Sequence, residues 1–190
     1  MTLDRVASRR SFLKIGAAAL ALGAVPAVAN AGVIITPNKR MLSGERSLKF
    51  DNLHTGEKLR TVYWQDGKYL PQSLRDVNHI LRDFRNDETK PIDQDLLDLL
   101  STLNRDLETD QPFQIISGYR SPETNTMLRS RSKGVASKSY HMRGMAIDLR
   151  VPGRDLLGLR RTAQAMQLGG VGYYPTSNFV HVDVGPVRTW

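Results

Sequence analysis

Apolar positions along the chain change rhythm several times, and the changes predict its elements. Residues 47–50 and 58–64 read as strands, the second carrying Leu59, Val62 and Trp64, with turn formers at 51–56 between them. A hairpin is the expectation. Asp66-Gly67 marks another turn. Leu74, Val77, Ile80, Leu81 and Phe84 then recur at helical spacing, predicting a helix over 73–84 that residues 86–90 break. A second helix is expected over 93–107, with six leucines between Leu96 and Leu107, Pro91 ahead of it and Asp93 as its cap. Residues 113–117 read as a short strand, 122–130 as a short helix, 146–151 as a strand, and 155–166 as a helix ended by Leu168-Gly169-Gly170. Residues 172–174 and 179–184 form a last expected hairpin around the turn at 175–178. Helices first and a small, mainly antiparallel sheet afterwards predict an α+β fold with helices packed on the sheet.

The start of the chain breaks this pattern. Ser8-Arg9-Arg10-Ser11-Phe12-Leu13-Lys14 is followed by an uncharged run, rich in Ala and Leu, from Ile15 to Ala29. Two small-x-small sites, Ala27-Val28-Ala29 and Ala29-Asn30-Ala31, close it. This is the layout of a secretory signal, and the paired arginines match the twin-arginine export pattern. The run has about 15 residues against the ~20 that span a bilayer, so cleavage rather than stable membrane insertion is expected. The expected organisation is a signal peptide over 1–31, a Gly/Pro/Ser/Lys-rich linker over 32–46, and one domain over 47–190. The destination is the periplasm.

The chain has 190 residues, 40% of them hydrophobic and 24% charged, a globular composition. It has no cysteine, so thiolate metal sites, disulfides and cysteine nucleophiles are excluded. Any metal must be held by His, Asp or Glu. The net charge of +8 suits an anionic partner. No long Lys/Arg block interleaved with aromatics is present, so no nucleic acid is expected.

Only four histidines exist. His79 sits in the first predicted helix and His54 in a His-Thr-Gly turn, and both read as structural. His141 differs, because it precedes a Gly-led strand whose apolar run ends in Asp148. Alternation puts Ala146 and Asp148 on one strand face, where a carboxylate needs a cation or hydrogen bonds to be buried. Pairing with Arg143 or Arg150 would also satisfy it. In 179–184 the same alternation puts Phe179, His181 and Asp183 on one face and Val180, Val182 and Val184 on the other. A His, Asp, His set leaves a fourth tetrahedral position open, the mark of a catalytic zinc.

Three segments in this order carry a resemblance: Ser117-Gly118-Tyr119-Arg120-Ser121-Pro122-Glu123-Thr124-Asn125, Ser139-x-His141-x-x-Gly144-x-Ala146-x-Asp148, and Val180-His181-Val182-Asp183. They resemble the zinc D,D-peptidases, a superfamily shared with lysostaphin-type enzymes and the hedgehog signalling domain, and the chain is most similar to its exported murein endopeptidase branch. The resemblance implies that fold and zinc held by His141, Asp148 and His181. It implies that Arg120 binds substrate and stabilises an oxyanion, and that Ser139 positions substrate or water. Many relatives carry a His or Glu base two or three residues before the last zinc histidine, but here those positions are Asn178 and Phe179. Asp183, on the face of His181, is the candidate general base, with orientation of a ligand or of Arg120 as its rival role.

The function implied is hydrolysis of peptide cross-links in peptidoglycan by a monomeric zinc peptidase. A D,D- or L,D-carboxypeptidase trimming stem peptides, a zinc-stabilised wall-binding module without activity, and a metal-free basic binding protein are the alternatives.

Overall fold

A computed structural model describes residues 44–190 apart from Lys133. The expected signal peptide and nearly all of the expected linker lie outside the described residues. Glu45 and Arg46, at the linker's end, already belong to the first strand.

Strands β1 (Glu45–Asn52) and β2 (Lys58–Gln65) form the expected hairpin, antiparallel, with Phe50 opposite Leu59. The Asp66-Gly67 turn returns the chain into a two-residue strand, β3 (Lys68–Tyr69), which sequence reasoning did not anticipate. Helix α1 (Pro71–Ile80) has Pro at its first turn and buries Val77 and Ile80. It stops short of the expected 84 because the following backbone is used elsewhere. The Leu81 carbonyl accepts from Tyr119 N at 2.7 Å, and the Asp83 carboxylate accepts from Ser121 N at 2.9 Å. The segment after α1 thus braces the loop that carries Arg120.

Helix α2 (Gln94–Asp106) is capped by Asp93, as expected, and buries Leu96, Leu97, Leu99, Leu100 and Leu103. Full burial of such a side chain contributes about 1.5–3 kcal/mol, so α2 is held by its apolar stripe. Strand β4 (Phe113–Ser117) leads through that loop into α3 (Pro122–Arg131), capped by Ser121. A 3-10 turn at Tyr140–Arg143 follows, then β5 (Ala146–Arg150), α4 (Leu156–Met166) capped by Asp155, and the hairpin of β6 (Gly170–Tyr174) and β7 (Phe179–Asp183). A second unanticipated strand, β8 (Arg188–Thr189), closes the edge.

The eight strands of the described residues join one sheet in the order β3-β2-β1-β4-β5-β7-β6-β8. The fold is α+β as expected, but the sheet is larger than expected and mixed: most neighbouring strands pair antiparallel, while β1 pairs with β4, and β6 with β8, in parallel. Short apolar runs carry no signal for pairing direction. On β5 and β7, Ile147, Leu149, Val180 and Val182 enter the hydrophobic core, where α4 packs on β6 and β7. The alternate positions turn Ala146, Asp148, His181 and Asp183 to the other face. None of the described helices is long and apolar enough to cross a membrane.

Candidate metal centre

Register assembles the site. In the β5–β7 ladder Asp148 stands directly opposite His181, and Ala146 opposite Asp183. On its other side β5 meets β4 through an irregularity that sets Ser117 opposite Asp148. Such bulges often re-aim side chains beside functional sites. His141 arrives from the 3-10 turn, whose N-cap is Ser139, with Ser139 Oγ accepting from His141 N at 3.3 Å.

These elements bring three atoms together. His141 Nε2 lies 3.2 Å from Asp148 Oδ1 and 3.2 Å from His181 Nδ1, and His181 Nδ1 lies 2.8 Å from Asp148 Oδ1. All three residues are buried. Neither Arg143 nor Arg150 takes the carboxylate: Arg150 donates to Gln114, and Arg143 lies over the Tyr140 ring.

Partners behind the rings decide which nitrogen carries a proton. His141 Nδ1 donates to the Gly118 carbonyl at 2.7 Å, and His181 Nε2 donates to Asp183 Oδ2 at 2.8 Å. A neutral imidazole has one donor and one acceptor nitrogen. With both imidazoles neutral, the inner nitrogens turn unshared pairs toward a carboxylate oxygen, and three acceptors converge with no donor of their own. Only a cation satisfies that arrangement. Ligand atoms bound tetrahedrally to zinc at ~2.0–2.1 Å stand about 3.3 Å apart, which the observed separations approach. These three residues could hold such an ion.

The electrostatics agree. Burial pulls the His141 imidazolium down, and the neighbouring Asp148 offsets this only in part. Burial acts the same way on His181, but hydrogen bonds to Asp148 and Asp183 outweigh it and push it up to about 9. Burial alone would raise Asp148, yet His141 and His181 beside it hold its carboxyl well below the usual carboxylate range. The pocket favours one positive charge at its centre, supplied by a proton or by a metal.

The cluster lies in a cleft of about 510 Å³ lined by Arg120, Lys138, Tyr140, Tyr174, Phe179 and Trp190 among others. A groove of about 580 Å³ at Arg46, Trp64 and Asp98 includes none of these residues and gathers no comparable chemistry. Arg120 is buried, with Nη2 3.7 Å from Asp148 Oδ2. Its hydrogen bonds to Asn125 and Ser117 are long, both 3.4 Å, and its Nε has no partner. A buried guanidinium so loosely engaged keeps donors free for an anionic group.

The whole arrangement sits within residues 40–190, which match the family model described as peptidoglycan L,D-endopeptidase MepK. The chain belongs to this family. Members similar to it include the peptidoglycan L,D-endopeptidases MepK of Escherichia coli strain K12 and of Shigella flexneri, each 45% identical over 184 residues, 97% of both chains. The probable peptidoglycan L,D-endopeptidase MepK of Haemophilus influenzae is 38% identical over 184 residues, 96% of this chain and 95% of that one. The MepK family is one of metal-dependent peptidases, and this chain is an enzyme of that class.

Within this MepK-family site, the surroundings of Asp183 bear on both of its candidate roles. Asp183 shares the strand face of His181, and it lies behind the imidazole. His181 turns Nδ1 to the cluster and Nε2 back to Asp183, whose side chain is fully buried. The carboxylate also accepts from Gly185 N at 2.8 Å and from Arg188 Nη1 and Nη2 at 3.0 and 2.6 Å. Period-two spacing gives the face and cannot tell in front of a ring from behind it. The orienting role, the rival expectation, is the one this geometry fits. Among the described residues lining the cleft, Asp148 is the only acid.

His54 stacks on Phe84 with ring centroids 3.9 Å apart, and His79 pairs with Glu57 at 3.4 Å, so neither approaches the cluster. Sequence reasoning missed Gly118 and Arg188. A Cβ on Gly118 would lie 2.4 Å from the Leu81 carbonyl oxygen, so only glycine lets the loop carry its own carbonyl to His141. The Ser-Gly-Tyr-Arg motif held that signal. Nothing in the spacing marked Arg188.

Proposed function

We propose that this chain is a zinc-dependent endopeptidase of peptidoglycan that cuts peptide cross-links, and that the bond cut is of L,D type. The observation that carries the reading is the convergence of His141 Nε2, Asp148 Oδ1 and His181 Nδ1, each histidine held from behind by its own acceptor. The L,D preference rests on the names of relatives that align over nearly their whole length.

A zinc ion held there supplies Lewis acidity, polarising a carbonyl and activating water. The chain's own residues do the rest. Asp148 stays ionised and completes the ligand set, while Gly118 and Asp183 fix the two imidazoles. Arg120, kept dry and loosely bonded, meets the carbonyl oxygen of the scissile bond as negative charge develops on it. Lys138, Arg120 and Arg188 make the cleft basic, which suits peptides bearing free carboxylates. Ser139 holds the backbone of His141 and lines the same cleft.

The same reading has the protein in the periplasm as a monomer, delivered by a twin-arginine leader over 1–31, with a linker from 32 that ends where β1 begins at Glu45 and the peptidase domain from there to 190. Arg9-Arg10 ahead of Phe12-Leu13-Lys14 supports the route. To test the activity, purified protein is incubated with isolated peptidoglycan, with and without a chelator, and the fragments are resolved by mass. Cross-linked dimers should fall to monomers only when zinc is present. Shortened monomers with dimers intact would mean a carboxypeptidase, and unchanged fragments with stoichiometric zinc would refute hydrolysis.

A further inference from the structure

Across from the ligands, β6 carries a group that the reaction scheme above does not use. In the β6–β7 ladder Gly172 stands opposite His181, and Tyr174 opposite Phe179. Alternation therefore puts Tyr174 on the face of the ligands, one step along from the space above Gly172. That space is filled by Trp190. A Cβ at Gly172 would lie 2.6 Å from the indole, whose ring centroid is 5.3 Å from that of His181.

The indole is held on several sides. Trp190 N donates to the Val171 carbonyl at 3.2 Å, and its own carbonyl accepts from Tyr173 N at 3.0 Å. The Arg188 guanidinium lies 4.9 Å from the Trp190 ring and 5.1 Å from the Tyr140 ring, while gripping Asp183. From this fixed position Trp190 Nε1 donates to Tyr174 Oη at 2.7 Å. Phe179 stacks on the Tyr174 ring, with centroids 4.5 Å apart and planes 19° from parallel.

An indole N–H can only donate, so Tyr174 Oη is the acceptor in that bond and its own proton is not spent on it. Among the described residues no group accepts that proton. With the ring stacked and one lone pair occupied, the O–H is free to donate within the cleft that Tyr174 lines together with Arg120, His141, Asp148 and His181.

We propose that Tyr174 is a further catalytic residue, donating its hydroxyl proton in a hydrogen bond to the substrate carbonyl oxygen as that oxygen becomes negative, and that Trp190 is the positioning residue that aims it. Two donors, Tyr174 and Arg120, then share the developing charge. The inference rests on the endopeptidase reading and assigns part of its stabilisation to a hydroxyl.

The test compares Tyr174→Phe, Trp190→Phe and the double variant of the zinc-loaded protein on a purified cross-linked muropeptide. The binding of a phosphinate pseudopeptide, whose anionic oxygens mimic the tetrahedral state, is measured in parallel by calorimetry. In Tyr174→Phe, kcat should fall on the order of 10²-fold, the usual effect of losing one such donor. KM should stay within about twofold, with zinc stoichiometry intact. Phosphinate affinity should fall in step with kcat. Trp190→Phe should lower kcat by roughly tenfold, and the double variant should be no worse than Tyr174→Phe alone, because the indole acts through the phenol. Wild-type kcat in Tyr174→Phe, a change in KM alone, or additive losses in the double variant would overturn the inference while leaving the endopeptidase reading in place. A zinc-loaded wild type that leaves the muropeptide uncut would overturn that reading, and this inference with it.

Discussion

Replacing Asp183 with Asn asks whether the site depends on a carboxylate that never faces the cleft. Oδ2 accepts from His181 Nε2 at 2.8 Å and from Arg188 Nη2 at 2.6 Å. Oδ1 accepts from Gly185 N at 2.8 Å, Arg188 Nη1 at 3.0 Å and Gly170 N at 3.3 Å. Every partner is a donor. An amide has one oxygen and one NH2, so either orientation sets two hydrogens against donors. With the oxygen on the backbone side, the NH2 meets His181 Nε2. The imidazole can relieve that conflict by moving its proton to Nδ1, the nitrogen that must stay unprotonated to hold a metal. With the oxygen on the His181 side, the NH2 opposes the backbone N–H groups of Gly170 and Gly185. Losing such an orienting partner typically weakens metal binding 10–100-fold, which is about 1.4–2.7 kcal/mol. Zinc affinity is read by competition with a chromophoric chelator, and muropeptide hydrolysis is measured at saturating zinc on the same preparation. Lower affinity with most of the rate restored at high zinc is the expected result. Unaltered affinity with a loss of two to four orders of magnitude in rate, the usual worth of general acid–base catalysis, would refute the orienting role and restore Asp183 as the base.

Four further outcomes are expected. Replacing His141, Asp148 or His181 with Ala should each remove most of the zinc measured by elemental analysis, because each removes one of the three converging acceptors. Arg120→Ala should keep stoichiometric zinc and lose on the order of 10²–10³ in turnover, since the guanidinium stands beside Asp148 Oδ2 and not among the ligand atoms; wild-type turnover would make the residue structural. Changing Arg9 and Arg10 to Lys should strand a fused reporter in the cytoplasm, and undiminished periplasmic reporter would reject the twin-arginine route. Glu57 is held down to about 2 by hydrogen bonds from Arg82 and Thr55. Its folded value lies below the ~4.3 of an unfolded chain, so its contribution is present above that pH and lost as pH falls toward about 2. Glu57→Gln should therefore lower the urea midpoint at pH 7 and converge on wild type near pH 2. The half-exposed pair is worth under about 1 kcal/mol after solvent screening, and a pH-independent difference would contradict this account.

The strands and helices with a strong apolar rhythm were legible before any coordinates. The leucines of α2, its Asp93 cap and the alternation in β7 each state a local rule that tertiary packing then obeys. Helix α1 was over-read because Leu81 and Phe84 continue its period, yet hydrogen bonds from Tyr119 and Ser121 claim the backbone and Asp83 beyond Ile80. Strands β3 and β8 have two residues each, too few for any period to register. The three candidate ligands were legible as residue types on strand faces. The part that remained hidden is directional. Which ring nitrogen looks inward depends on the Gly118 carbonyl, 23 positions from His141, and on Asp183 and Arg188 behind His181. No spacing rule encodes a ring flip.

The ladder between β5 and β7 has a consequence for how the chain can fail. Because Asp148 and His181 are paired partners across two adjacent strands, a one-residue slip of β7 would carry His181 and Asp183 through the sheet and bring Val180 and Val182 to the cleft side. No half-formed cluster exists between the two alignments. A chain paired wrongly would lose its metal and its core together, so bound zinc should report correct pairing of the central strands as faithfully as any spectroscopic probe of folding.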